Sequence, residues 1–257
     1  MSKQVVAEVR RLAMRKHRRR QGKLLLEGVR LVREALDQGV FITTALHSPE
    51  LLQRPGGPQL LSLLQERGAR LVAVDASTMS GLAGVETSQG ILAVAEAARR
   101  EIDTGRTLRV LVDGVQDPGN LGTILRSAHA AGVGAVYLGP GTVDPHSPKT
   151  LRAAMGSAFA IPVVELDQVA GFLDQQRALG YVLVVADVRG VQAPHQVDLT
   201  GSVLLAVGNE AHGVGPDASN RADALVRIPM PGGAESLNVA MAATILLYEA
   251  VRQRLLV

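Results

Sequence analysis

Three glycine-marked loops hold the side chains that could do chemistry. "DPGNLGTILRSAHAAG", residues 117–132, follows the apolar run "LRVLVDGV" and brings in Asn120 and Arg126. "AVGNEAHGVG", residues 206–215, sets Glu210 between Gly208 and Gly213, with Gly215 just beyond. "IPMPGGAESLNVAMAATILLYEA", residues 228–250, places Ser236 and Asn238 ahead of a long apolar stretch. A small turn with an amide and a guanidinium suits a nucleotide-like, phosphate-bearing ligand. Glycines would let backbone approach it closely. None of the loops has G-x-G-x-x-G spacing, and no strand with a ribose-binding acid follows about 20 residues on, which argues against a dinucleotide and a nicotinamide oxidoreductase. Each residue also has an ordinary reading. Asn120 or Ser236 could cap a helix, Arg126 could be the wet face of one, and Glu210 could be a solvated loop carboxylate. Asn238, if buried, would need a partner.

The elements that must position these loops fall into two segments. In the second, apolar runs predict strands at about 108–115, 135–139, 161–165, 181–187, 203–208 and 225–229, with helices at about 120–131, 147–157, 167–179 and 236–255. Runs such as "YVLVVADV" and "VLLAVGNE" read as buried on both faces, as in a parallel sheet whose ligands sit beyond the carboxyl ends of the strands. The last helix is apolar nearly all round from Leu237 to Leu247, so it must be buried or lie in a subunit interface. In the first segment "LLLEGVRLVREALDQG" predicts a helix ending at Gly39. "FITTALHS", "RLVAVDA" and "QGILAVAE" predict strands, and "PQLLSLLQERGA" a helix. The expected architecture is a small α/β sandwich domain at 1–98, a polar linker at 99–106, and a parallel-sheet domain at 107–257.

Composition narrows the classes. Of 257 residues, 47% are apolar and 20% charged, enough for a sizeable core. No apolar run reaches the roughly 18 residues of a membrane helix, and the charged N-terminus lacks a signal-peptide core. Without cysteine there are no disulfides, thiol nucleophiles or thiolate metal sites. Six histidines, including His129 and His212 near the loops, show no metal-ligand spacing. A cytoplasmic protein with neither membrane nor metal partner is expected. Residues 1–98 hold 14 Lys/Arg against 9 Asp/Glu, a charge of +5, whereas the remainder holds 13 against 15, a charge of −2. Eight basic residues lie between Arg10 and Lys23 with no acid among them. This patch predicts phosphate contact through Arg15, Arg18, Arg19, Arg20 and Lys23. Aromatic residues are only 2% of the chain and Trp is absent, so base stacking should matter less than phosphates, shape and hydrogen bonds.

The three loops, in this order and spacing over residues 107–257, resemble the three motifs of the SpoU (TrmH) family of the SPOUT superfamily. These are S-adenosylmethionine-dependent RNA ribose 2′-O-methyltransferases. The front segment, with "KLLLEGVRLVREAL" and "SQGILAV", is similar to the ribosomal-protein-like RNA-binding domain found in many members. The resemblance implies a deep trefoil knot in the parallel-sheet domain, contrary to the usual rule, and a homodimer with the active site beside the knot. It implies S-adenosylmethionine at the backbone of Gly208, Ile228 and Leu237, with Asn209, Glu210, Gly213 and Met230 nearby. It also places Asn120, Arg126, Glu210, Ser236 and Asn238 at the polar catalytic positions. The family's proposal makes Arg126 the base. A guanidinium with a pKa above about 12 resists that role and more easily clamps phosphate and stabilises an alkoxide; both roles stand open. The implied substrate is structured RNA, foremost 23S ribosomal RNA. The alternatives are a tRNA methyltransferase and a catalytically idle RNA-binding module.

Overall fold

The computed structural model describes residues 2–97 and 100–256. The chain begins with α1 (Ser2–Leu12), α2 (Arg15–Gln21), β1 (Lys23–Glu27), α3 (Val29–Asp37), β2 (Ile42–His47), α4 (Pro49–Leu52), α5 (Gly57–Glu66), β3 (Arg70–Ala73), α6 (Ala76–Leu82) and β4 (Ile91–Glu96). The four strands form one sheet in the order β1-β4-β2-β3, antiparallel except for β2 and β3. The expected helix from "LLLEGVRLVREALDQG" is corrected here, because its first residues are β1 and only Val29–Asp37 is helical. Leu24 and Leu26 face one apolar cluster with Leu31, Val32 and Leu60, while Leu25 faces another with Val9, Leu12 and Met79. A strand covered on both faces carries an unbroken apolar run, and such a run cannot be told from a buried helix by its period.

The rest of the chain runs β5 (Leu108–Asp113), α7 (Pro118–Ala130), β6 (Ala135–Leu138), α8 (Pro148–Ala154), α9 (Ser157–Ala160), β7 (Val163–Glu165), α10 (Val169–Ala178), β8 (Val182–Ala186), β9 (Val203–Gly208), α11 (Pro216–Ser219), β10 (Ala224–Val226) and α12 (Val239–Arg254). Its six strands pair in parallel throughout, in the order β10-β8-β9-β5-β6-β7. From β5 the chain works outward through β6 and β7, then crosses to β8 on the other side. The strand order therefore reverses between β5 and β9, where open sheets place their ligand crevice. Asp113 and Gly208 stand opposite each other at the carboxyl ends of these two strands. α12 packs on α7 and β9.

The chain divides into two compact units, neither of them continuous in sequence: Met1–Ala98 with Asp144–Phe159, and Arg99–Val143 with Ala160–Val257. Leu151 and Phe159 lie in the same apolar cluster as Leu26 and Leu31. Buried Glu27 accepts a bond from the Gly84 N–H at 2.9 Å and pairs with Arg152.

The same segment corrects the expectation for Arg18. Its side chain is 5% exposed and ion-paired with buried Asp144, and it donates to the carbonyls of Leu12 at 2.8 Å and Ala13 at 2.7 Å. A guanidinium spent on internal acceptors in this way has little left for phosphate. Lys23, half-buried, pairs with Glu8 at 2.5 Å. Arg15, Arg19 and Arg20 are exposed on α2.

Candidate functional site

The site is assembled where the loops after β5 and β9 meet the start of α12. Asp117 caps α7 by accepting from the Asn120 N–H at 2.8 Å, so Asn120 is not the cap. Its side chain instead reaches across, donating from Nδ2 to Glu210 Oε1 at 2.6 Å. Asn120 Oδ1 in turn accepts from Asn238 Nδ2 at 2.9 Å. Asn238, not Ser236, caps α12, its Oδ1 accepting from the N–H groups of Ala240 and Met241 at 2.9 and 3.3 Å. Ser and Asn favour the cap position almost equally, so the sequence leaves the choice between them open. The result is a chain of hydrogen bonds from a helix cap through two amides to a carboxylate, with one member from each loop.

The Glu210 loop is held tightly. Asn209 and Gly213 exchange two backbone hydrogen bonds of 2.8 Å, and Gly213 takes φ +70°, the left-handed region that glycine enters without strain. Asn209 Nδ2 donates to the Gly114 carbonyl at 3.0 Å, while its Oδ1 accepts from the N–H groups of Ala211 and His212. Asp113 Oδ2 accepts from the Gly215 N–H at 2.7 Å. Gly208 has no room for a side chain, since a Cβ there would lie 2.1 Å from Gly213 C and Val214 N.

Beside this loop is a pocket of about 480 Å³, within the range of roughly 300–1,000 Å³ for small-molecule sites. Gly208, Asn209, Glu210, Gly213, Ile228, Met230, Ser236 and Leu237 all line it. Val207, Val226, Val239 and Ala242 supply an apolar wall fit for a flat ring, and backbone from two loops supplies edge donors and acceptors. Among the described residues no cation pairs with Glu210 or Glu235, both on its lining. Beyond the Asp187–Arg189 pair, the lining carries Glu210 and Glu235 against Arg227, a net negative balance that suits a nucleoside with a positively charged extension. Asn120 and Asn238 do not line the pocket and reach it through Glu210.

Arg126 stands apart from the other four predicted catalytic residues. It lies six residues after Asn120 on α7, about 120° away around the helix axis. It is exposed and has no hydrogen-bonding or ionic partner among the described residues.

Sequence reasoning missed the loop after β8. Asp187 and Arg189 line the same pocket, and Arg189 holds the Asp187 carboxyl below its ordinary range through hydrogen bonds and charge. The available signal was an acid at the carboxyl end of "YVLVVAD", where a parallel strand delivers its last residue to the crevice. His212 lines the pocket with Nδ1 3.2 Å from Asn209 Oδ1. No group of three or more metal-ligating side chains occurs among the described residues.

On α12, Met241, Ile245 and Tyr248 are 55%, 42% and 71% exposed and fall at i, i+4 and i+7, which makes one apolar stripe. Leu246, at 1%, faces inward.

The family described as SpoU rRNA Methylase matches residues 107–248, and the MRM3-like substrate binding domain matches residues 3–93. The chain is 38% identical over 246 residues to the 23S rRNA (guanosine(2553)-2′-O)-methyltransferase RlmP of Bacillus subtilis, covering 95% of each. An AdoMet-bound rRNA methyltransferase from Sinorhizobium meliloti superimposes with a TM-score of 0.83 at 35% identity, over 96% of this chain and 94% of that one. The SpoU methyltransferase AviRb from Streptomyces viridochromogenes, in complex with AdoMet, gives 0.83 at 32%, over 98% and 99%.

Proposed function

Because the chain belongs to the SpoU rRNA methylase family, we propose that it transfers a methyl group from S-adenosylmethionine to a ribose 2′-hydroxyl of 23S ribosomal RNA. The observation that carries this reading is the Asn238–Asn120–Glu210 chain at the edge of the 480 Å³ pocket. It keeps an uncompensated carboxylate beside a cavity sized for a nucleoside. When bound, S-adenosylmethionine supplies an electrophilic methyl on a sulfonium, whose carbon–sulfur electrons stay with sulfur as the ribose oxygen forms the new bond. Backbone at Gly208, Ile228 and Leu237 holds the adenosine, and Asn209, Gly213 and Met230 close around it. Glu210 faces the positive charge, oriented by Asn120 and Asn238, and Ser236 hydrogen-bonds the incoming ribose. Arg126 clamps the neighbouring phosphate and stabilises negative charge on the 2′-oxygen while the hydroxyl proton passes to water. The reaction needs no metal, because a sulfonium methyl is electrophilic without a Lewis acid.

The knot, the homodimer and the cytoplasmic location belong to the same reading. The exposed stripe on α12 supports pairing of two copies. The test is transfer of labelled methyl to a 23S transcript, mapped as ribose 2′-O-methylation. Transfer to tRNA alone would move the substrate, and no transfer to any RNA would leave an idle binding module.

Two further outcomes are expected. Arg20→Ala should weaken RNA binding and lower its salt slope by about one, with donor affinity and melting temperature unchanged. Arg18→Ala should instead cost about 3–5 kcal/mol of stability, because it strands Asp144 as a buried charge. Denaturant melts and salt-titrated binding separate the two, and equal effects would end the distinction. Ile245→Glu should convert the dimer to a well-folded monomer with reduced activity, read by sedimentation and circular dichroism. A charge at Leu246 would test only the core. Unchanged assembly in Ile245→Glu would remove α12 from the interface.

A further inference from the structure

Asp187 and Arg189 have no part in the reading above, yet they form a fixed wall of its pocket. The Asp187 side chain is 9% exposed. Its backbone N–H donates to the Val226 carbonyl at 3.0 Å, and its own carbonyl accepts from the Gly190 N–H at 3.0 Å, so the turn is pinned to β10. Three donors hold the carboxylate. The Arg189 backbone N–H reaches Oδ1 at 2.8 Å, Arg189 Nε lies between Oδ1 at 3.0 Å and Oδ2 at 3.2 Å, and Arg189 Nη2 reaches Oδ2 at 2.6 Å. Nε shares one hydrogen between the two oxygens, so three hydrogens serve about four lone-pair sites, and Oδ2, whose Nε contact is the longer at 3.2 Å, keeps room for one further donor. The arginine has already neutralised the charge, which leaves little attraction for a cation but a good acceptor for a neutral hydroxyl. Glu210 and Glu235, unpaired with any cation among the described residues, are the carboxylates left for positive charge.

We propose that Asp187 accepts a hydrogen bond from a ribose hydroxyl of the donor nucleoside and so fixes its sugar, with Arg189 as the residue that positions the carboxylate. The inference rests on the donor reading given under Proposed function. It concerns the donor's own ribose, not the RNA ribose that is methylated. Asp187 stands at the carboxyl end of β8, two strands from β5, and the pocket it walls also takes in Gly208 at the end of β9. A nucleoside lying along these strand ends brings its sugar edge to that row.

The test is calorimetric binding of S-adenosylhomocysteine, 5′-methylthioadenosine and the 2′-deoxy and 3′-deoxy forms of the latter. Asp187→Asn should weaken S-adenosylhomocysteine and methylthioadenosine alike, by about 10- to 100-fold, the scale of one hydrogen bond to a charged acceptor. On the unaltered protein one of the two deoxy ligands should show a similar loss. On Asp187→Asn that same deoxy ligand should bind little more weakly than its parent nucleoside, because the hydrogen bond is already gone. Arg189→Lys, which keeps the charge but not the fork, should give a smaller loss with the same ligand pattern.

Equal affinity of both deoxy ligands and methylthioadenosine for the unaltered protein would overturn the proposal, and needs no variant to fold. A loss in Asp187→Asn seen with S-adenosylhomocysteine but not with methylthioadenosine would also overturn it, assigning Asp187 to the amino-acid end. If the unaltered protein binds no S-adenosylhomocysteine, the donor reading itself fails and takes this inference with it.

Discussion

Gly208→Ala should abolish donor binding, lowering affinity for S-adenosylhomocysteine by at least about 100-fold. The cause is space rather than backbone angle. A Cβ at this position would lie 2.1 Å from Gly213 C and Val214 N and 2.2 Å from Gly213 O, all of them main-chain atoms that no rotamer change can move aside. Ordinary overpacking costs about 1–3 kcal/mol where side chains can give way. Here the loop itself must retreat. The two 2.8 Å bonds between Asn209 and Gly213 would break, and the Asn209 bond to the Gly114 carbonyl would be strained. Glu210 would then lose its register with Asn120. Gly180→Ala is the control, because a Cβ there meets open space, only the positive φ resists it, and Gly180 lines no part of the pocket. That conformation costs about 1–2 kcal/mol in a non-glycine residue, so donor binding should survive in a less stable protein. Calorimetry and thermal melts on both variants read the contrast. Equal donor affinity in Gly208→Ala and the parent would mean that the loop does not form the donor site.

The parallel sheet is legible in the sequence because strands buried on both faces leave continuous apolar runs, and "VLLAVG" at 203–208 maps onto β9 residue for residue. The same property misleads at β1, where three leucines serve two different clusters and imitate a helix. Arg18 is illegible for another reason. Its partner Asp144 lies 126 residues away, so nothing local distinguishes it from Arg19 and Arg20 beside it. The polar loops can be read as a set, but their internal wiring cannot. Asp117, Asn120, Ser236 and Asn238 are all fit to cap a helix, and only the folded arrangement shows that Asp117 and Asn238 do so. That outcome matters for the chemistry, since it leaves the Asn120 amide to join Glu210 to Asn238. Asp187 escapes a local reading because its pocket is formed with loops 20 to 50 residues further along the chain. The apolar composition of α12 is plain, whereas the division into a covered face at Leu246 and an open stripe at Ile245 depends on how α7 and β9 pack against it.

Arg126→Ala should lower single-turnover methyl transfer to a 23S transcript by about 100-fold or more, with donor affinity unchanged. The pocket proposed for the donor is lined by the loops around Gly208, Ile228 and Leu237, and Arg126 lines no part of it. Transfer, by contrast, develops negative charge on the ribose oxygen; once an RNA phosphate holds the guanidinium, its removal should cost the 10²–10³ in rate, roughly, that one oriented donor to such charge is worth. Among the described residues the guanidinium makes no internal bond, so its removal strands no partner and should leave the melting temperature in place. That separates Arg126 from Arg18, whose loss is a loss of fold. Arg126→Lys decides between charge and shape. An ammonium keeps the charge but cannot form the planar, two-pronged contact with phosphate. If the fork matters, Lys should recover only a small part of the rate and RNA affinity. If a bare charge suffices, Lys should approach the parent. A role as base predicts a different signature: the Lys variant, with an amine that deprotonates far more readily than a guanidinium, should regain rate steeply as pH rises from about 8 to 10. Transfer at the parent rate in Arg126→Ala would reduce the residue to the wet face of α7, and the phosphate clamp would have to be sought elsewhere.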